Sequence, residues 1–125
     1  ACTWAAFPKL YEAVTSAMTQ ALERVCGGGI VSCRFTHVYP DGPAPYFTFA
    51  GRAKRGGELE QWAELKGVAM KTLLEHGGTA THHHAVGRTH LEGWKTERPE
   101  PYARALAAMK RELDPAGILN PGVLL

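Results

Sequence analysis

"GIVSCRFTHVYPDGPAPYFTFAGRA", residues 29–53, is the stretch that decides the fold. Both of its ends are rich in β-branched and aromatic residues, which fit a pleated, half-buried surface. In the first half, Val31, Cys33, Phe35, His37 and Tyr39 alternate with Ser32, Arg34 and Thr36. That is the period of two that sends successive side chains to opposite faces of a strand. Between the halves, "PDGPAP" (40–45) combines the fixed φ of proline with the permissive φ of glycine. The segment predicts an antiparallel hairpin with a loop longer than the tightest two-residue type.

Helical patterns flank the hairpin. "FPKLYEAVTSAMTQALERVCGGG" (7–29) sets Leu10, Val14, Met18, Ala21, Leu22 and Val25 at spacings of three and four. Pro8 is tolerated in the first turn, and Gly27 to Gly29 end the helix. "GELEQWAELKGVAMKTLLEHGG" (57–78) carries a second stripe, Leu59, Trp62, Leu65, Ala69 and Leu73, and stops at Gly77. With "CTW" (2–4) as the end of one strand and "TATHH" (79–83) as another, the order becomes β-α-β-β-α-β. This is an α+β chain of the ferredoxin-like split βαβ pattern, an antiparallel sheet with helices on one face. "RPEPYARALAAMKRELDP" (98–115) appends a C-terminal helix with Tyr102, Leu106, Met109 and Leu113 inward. The expected division is a sheet-and-helix domain over 1–84 and a loop, helix and tail over 85–125. A chain that opens mid-element on "ACTW", without an initiator Met, is expected to be a fragment of a larger protein.

Bulk properties remove several classes of function. The chain has 125 residues, 45% hydrophobic and 21% charged, ordinary for a globular domain. Its net charge of +2 comes from 14 basic and 12 acidic residues that are dispersed, which leaves no nucleic-acid footprint. No apolar run reaches the ~20 residues of a transmembrane helix. Cys2, Cys26 and Cys33 are odd in number and lack C-x-x-C spacing, which points to reduced thiols in a cytoplasmic setting.

The chemistry concentrates in "GGTATHHHAVGRTH" (77–90). An affinity tag sits at a terminus, whereas this run lies inside a continuous folded pattern. On an extended segment His82 and His84 converge while His83 faces away. A metal would need further ligands from His37, His76 or His90, and no ligand spacing supplies them, so no metal is expected. Gly77, Gly78 and Gly87 allow close backbone approach to a ligand, and imidazoles exchange protons near neutral pH. Arg88 suits a phosphate or carboxylate. On the residues alone, solvated surface histidines explain the run as well as an active-site wall does.

Three segments carry a resemblance. "GGTATHHHAVGR" (77–88) is similar to the histidine-rich active-site loop of the alkyldihydroxyacetonephosphate-synthase branch of the FAD-linked oxidases, in the vanillyl-alcohol-oxidase superfamily. "SCRFTHVYPDGPAPYFTFA" (32–50) resembles that family's hairpin, and "MKRELDPAGILNPGVLL" (109–125) its C-terminal signature. The resemblance implies the substrate-facing cap of an FAD-dependent flavoprotein whose FAD-binding domain is absent from this chain. "CGGGI" (26–30) is no substitute, because it ends a helix instead of opening one. The implied partners are a small-molecule substrate and the missing FAD domain; homodimer formation is compatible, and the chain alone is expected to be inactive. The implied reaction is an ether-forming exchange of acyl for alkyl on a ketose phosphate, with Tyr46 taking a proton and His82, His83 and His84 lining the same pocket. Arg88, His37, Tyr39 and Asn120 follow as residues binding substrate or cofactor, although packing, surface charge or a plain turn accounts for each equally well. Ala85 stands where the synthase branch has glycine and Arg88 where it has lysine, which leaves the substrate open. The alternatives are an FAD-dependent dehydrogenase or oxidase of a 2-hydroxy acid or alcohol, and a stand-alone ligand-binding or interaction module of ferredoxin-like fold.

Overall fold

A computed structural model describes all residues from Ala1 to Leu125. The chain forms two compact units, Ala1–Thr79 and Ala80–Leu125. The first contains α1 (Phe7–Cys26), β1 (Gly29–Val38), β2 (Pro43–Gly51) and α2 (Glu58–Glu75). Helix α1 is its spine. Leu10, Val14, Met18, Ala21 and Leu22, the stripe read from the sequence, are almost wholly shielded from solvent. Val31, Phe47 and Phe49 of the hairpin pack against them from one side, and Leu65, Val68, Ala69 and Leu73 of α2 join the same core. The helix ends where the glycines predict: Gly27 turns left-handed at φ 71°, and the N–H groups of Gly27 and Gly28 bond back to Glu23 and Leu22.

The apolar stripe of α2 is covered only in part. Leu59 and Trp62, expected inward, are exposed, while Thr72 is buried with its hydroxyl donating to the Val68 carbonyl. Periodicity identifies the apolar face of a helix, not how far along it the cover extends.

The hairpin pairs antiparallel from Gly29↔Gly51 to Val38↔Pro43. Simple alternation fails at one point. Pairing steps from Phe35↔Pro45 to His37↔Ala44, so Thr36 is an extra residue, and its Oγ1 donates to the Ala44 carbonyl at 3.2 Å. Such a bulge bends the strand, and Thr36 instead of His37 becomes the part-covered residue.

The sheet has two strands, and neither 2–4 nor 79–83 forms a third. The split βαβ order is nonetheless traced by a few backbone hydrogen bonds. The Cys2 N–H donates to the Pro43 carbonyl at 3.2 Å, and the Thr79 N–H donates to the Ala1 carbonyl at 3.1 Å. Residues 1–2 thus lie between β2 and Thr79. The Trp4 N–H adds a bond to the Asp41 carbonyl at 3.1 Å, and pairing stops there as the Thr3 carbonyl accepts the N–H of Ala6 and Phe7 and the chain turns into α1. The approach is tight: a Cβ on Gly42 would fall 1.8 Å from the Cys2 carbonyl oxygen.

The second unit holds α3 (Leu91–Glu97) and α4 (Glu100–Leu113). Helix α3 was hidden in the sequence by its seven-residue length and by Gly93 within it. Helix α4 lies where expected, but Tyr102, Met109 and Leu113, expected inward, are exposed, and no residue of the helix is buried. After α4 the buried Asp114 anchors the tail. Its carboxylate accepts the N–H groups of Ile118 and Leu119, each at 3.0 Å, and the Lys110 ammonium. The ammonium, aided by the two amides, holds the Asp114 carboxyl below its usual range against the opposing effect of desolvation.

Candidate functional site

The hairpin presents two faces of different character. Val31, Cys33, Phe47 and Phe49 face the core, so their neighbours Ser32, Arg34, Tyr46 and Thr48 line the other face. Arg34 and Tyr46 are direct cross-strand partners, and the guanidinium carbon lies 5.3 Å from the phenol ring centroid. Nearer the turn, His37 and Tyr39 stack with parallel rings 6.1 Å apart, both exposed. Tyr39 is also structural: its carbonyl accepts the Trp4 indole N–H at 3.2 Å, and its backbone closes the turn with Gly42.

In the second unit, His82, His83 and His84 follow one another through a bend, all exposed. The strand-like alternation expected of them does not hold. His82 and His83 share a hydrogen bond between their Nδ1 atoms at 3.0 Å, and the rings of His83 and His84 meet edge-to-face at 4.2 Å. The chain has left extended geometry by this point, and Ala85 completes the bend in the left-handed region at φ 60°. Three consecutive imidazoles therefore form one contiguous cluster able to accept, hold and pass a proton. His90 has a local duty, its Nδ1 donating to the Val86 carbonyl at 3.2 Å, as does His76 in the first unit, bonded to the Thr72 carbonyl at 2.9 Å.

Arg88 and the C-terminal turn come together. The Arg88 guanidinium donates to the Pro121 carbonyl at 3.2 Å, next to Asn120, which adopts φ 49°. Asparagine is among the few residues that tolerate this conformation, which gives Asn120 a backbone role. Near them a cavity of 660 Å³ is lined chiefly by apolar side chains, among them Val86, Leu106, Met109, Leu113 and Leu119.

Sequence reasoning did not single out Arg34, which only the hairpin register places against Tyr46. It also passed over Arg98, whose guanidinium carbon sits 4.4 Å from the Trp94 ring centroid while its Nη1 is buried without a hydrogen-bond partner. Burial pushes the Cys2 and Cys33 thiols up from the ordinary cysteine value.

The chain does not fit the phosphate-bearing part of FAD. Its glycine run lies at the C-terminal, partially negative end of α1, and a Cβ on Gly29 would fall 2.4 Å from the Ala50 carbonyl oxygen. Close packing therefore explains that glycine. The first turns of α2 and α4 carry Glu58, Glu60 and Glu100, which repel a phosphate; the first turn of α1 has no acid, but its leading N–H groups, at Ala6 and Phe7, are taken by Thr3, and Pro8 has none.

Residues 1–124 match the family described as FAD linked oxidases, C-terminal domain. The chain is 37% identical over 95 residues to an alkyldihydroxyacetonephosphate synthase of Trypanosoma brucei brucei, covering 76% of this chain and 16% of that protein. An enzyme of the same name from Caenorhabditis elegans is 34% identical over 98 residues, covering 77% of the chain and 16% of the relative. The uncharacterized FAD-linked oxidoreductase YgcU of Escherichia coli K12 is 23% identical over 125 residues, 97% of the chain and 26% of that protein. The chain spans between about a sixth and a quarter of the length of these relatives. It belongs to the C-terminal-domain family of the FAD-linked oxidases.

Proposed function

We propose that the chain is the substrate-facing C-terminal portion of an FAD-dependent enzyme that exchanges the acyl group of an acylated ketose phosphate for an alkyl group. The observation that carries this reading is the match to alkyldihydroxyacetonephosphate synthases, at 37% identity over 95 residues. In the exchange a fatty alcohol supplies the ether oxygen, a fatty acid leaves, and there is no net oxidation. FAD is held by the rest of the parent protein, consistent with the absence here of a phosphate cradle. This chain contributes Tyr46 as proton acceptor and the His82–His84 cluster as further proton-exchanging groups. His37 and Tyr39 flank the substrate, while Arg88 and Asn120 shape the loop and tail. The apolar surface around Leu106, Met109 and Leu113 is the face onto which the FAD-binding part packs. The three thiols fit a cytoplasmic, reducing setting. No helix is long and apolar enough to cross a membrane.

A second reading is supported by YgcU, whose match extends over all 125 aligned residues. In it the parent is a dehydrogenase or oxidase of a 2-hydroxy acid or alcohol, and the same groups take the hydroxyl proton. The visible spectrum of the anaerobic parent protein separates the two. A flavin band that persists with hydroxy acids and alcohols, while an acylated ketose phosphate and a long-chain alcohol yield an ether, supports exchange. Bleaching by a hydroxy acid transfers the assignment to the dehydrogenase. In either case Tyr46→Phe and His83→Ala should each lower turnover by roughly 100-fold, the scale of a lost proton-transfer group, with FAD still bound. Wild-type rates in both variants would remove these residues from the site.

A further inference from the structure

We propose that the outer face of the hairpin is an oxyanion-binding platform centred on Arg34, which seats the anionic end of the substrate beside Tyr46. The inference rests on the reading of this hairpin as substrate-facing. Register supplies the arrangement. Arg34↔Tyr46 and Ser32↔Thr48 are successive pairs on one face, and no bulge intervenes between them. Two residues along a strand is about 7 Å, so one guanidinium and three hydroxyls fall within a patch the size of a phosphate or carboxylate group and its hydration shell.

Positive charge at this patch meets no carboxylate. Arg24, Lys71, Lys95, Arg104 and Lys110 each lie within ion-pair distance of a carboxylate on their own or a neighbouring helix. Arg34 has no such pair, and its side chain lies over the Tyr46 ring instead. The hairpin's only acid is Asp41, at the turn. A guanidinium resting over a ring at 5.3 Å is held near the ligand's position, and its N–H donors match the paired oxygens of a carboxylate or phosphate. The polar cross-strand pair Ser32 and Thr48 is exposed, so the platform is open to a ligand. Packing does not account for Arg34, which stands on the face away from the core.

The test is calorimetric titration of the FAD-loaded parent protein with inorganic phosphate and, separately, with acetate. Arg34→Met is expected to weaken binding at least tenfold, Arg34→Lys to weaken it by a smaller factor because the charge stays while the forked donors are lost, and Thr48→Val to weaken it by a few-fold. Binding of phosphate alone assigns a phosphate ester, binding of acetate alone a carboxylic acid, and binding of both a general oxyanion site. An unchanged dissociation constant in Arg34→Met, or no binding of either anion by the wild type, overturns the proposal. The two readings fail separately. If Tyr46→Phe keeps full turnover while Arg34→Met loses the anion, the catalytic role of Tyr46 falls and the platform stands. If Tyr46→Phe abolishes turnover while Arg34→Met binds phosphate normally, the platform falls and the catalytic reading stands.

Discussion

At the scale of single residues, the position after the histidines is the most informative. Ala85 occupies a left-handed conformation, φ 60°, which costs an L-residue with a Cβ about 1–2 kcal/mol. Glycine escapes that cost but loses about 0.5–1 kcal/mol through the greater freedom of its unfolded chain. Ala85→Gly should therefore raise stability by up to about 1 kcal/mol, read as a higher urea midpoint with an unchanged slope. Gly87→Ala, at φ 55° two residues later, should move the midpoint the other way. The sequence marks this position as an alanine standing where glycine is expected, but not what the bend does to its neighbours. The three histidines could be seen without a structure. Their mutual contact could not, because period-two reasoning applies only while the chain stays extended, and here it has bent. Arg34 lies inside the hairpin motif, but its pairing was not legible: which residue faces Tyr46 depends on the register, set by a turn and a bulge at Thr36 that propensity does not locate.

At the scale of elements, α1 and α4 make an instructive pair, since both carry clear apolar stripes. The stripe of α1 is sealed, with Met18 at 0% exposure; that of α4 is open, with Met109 at 55%. The sequence located both helices well and could not tell them apart, because amphipathicity records a helix's preference and not the presence of its cover. Met18→Ala removes buried methylenes from a close-packed core and should cost about 2–5 kcal/mol. Met109→Ala should cost less than about 0.5 kcal/mol in the 125-residue chain, as an exposed substitution does. In the parent protein the second figure should rise above about 1 kcal/mol if the FAD-binding part covers α4. Equal values for Met109→Ala in chain and parent would show that this face stays open in both. The short strands at the margins of the split βαβ were overcalled for a related reason. Residues 2–4 make only two backbone bonds to the hairpin, at Cys2 and Trp4, before the chain turns into α1, and that is too short for a strand of the sheet.

At the scale of the whole molecule, the family was legible before the fold was, through short motifs in the histidine loop, hairpin and tail, and the match over residues 1–124 bears that out. The same motifs say little about what the chain does itself and what it leaves to the rest of a parent protein. The physical argument for that division lies in the glycines and helix ends. Binding FAD requires a site for its pyrophosphate, usually N–H groups at the start of a helix with no carboxylate nearby. Here the glycine run is at a helix end, and the first turns of α2 and α4 carry glutamates. The purified 125-residue chain should accordingly emerge from gel filtration colourless after incubation with excess FAD, whereas the parent protein retains its flavin. The same column tests the exposed stripe. Leu106, Met109, Leu113 and Leu119 form an apolar surface of the kind that drives association when uncovered. The chain should elute larger than its 13.6 kDa at high concentration, and Leu113→Glu should return it toward that mass. Co-elution of stoichiometric FAD with the chain would mean that the cofactor site lies here after all, and would undo the division of labour. A wild-type monomer at every concentration would remove the apolar face as the docking surface for the FAD-binding part.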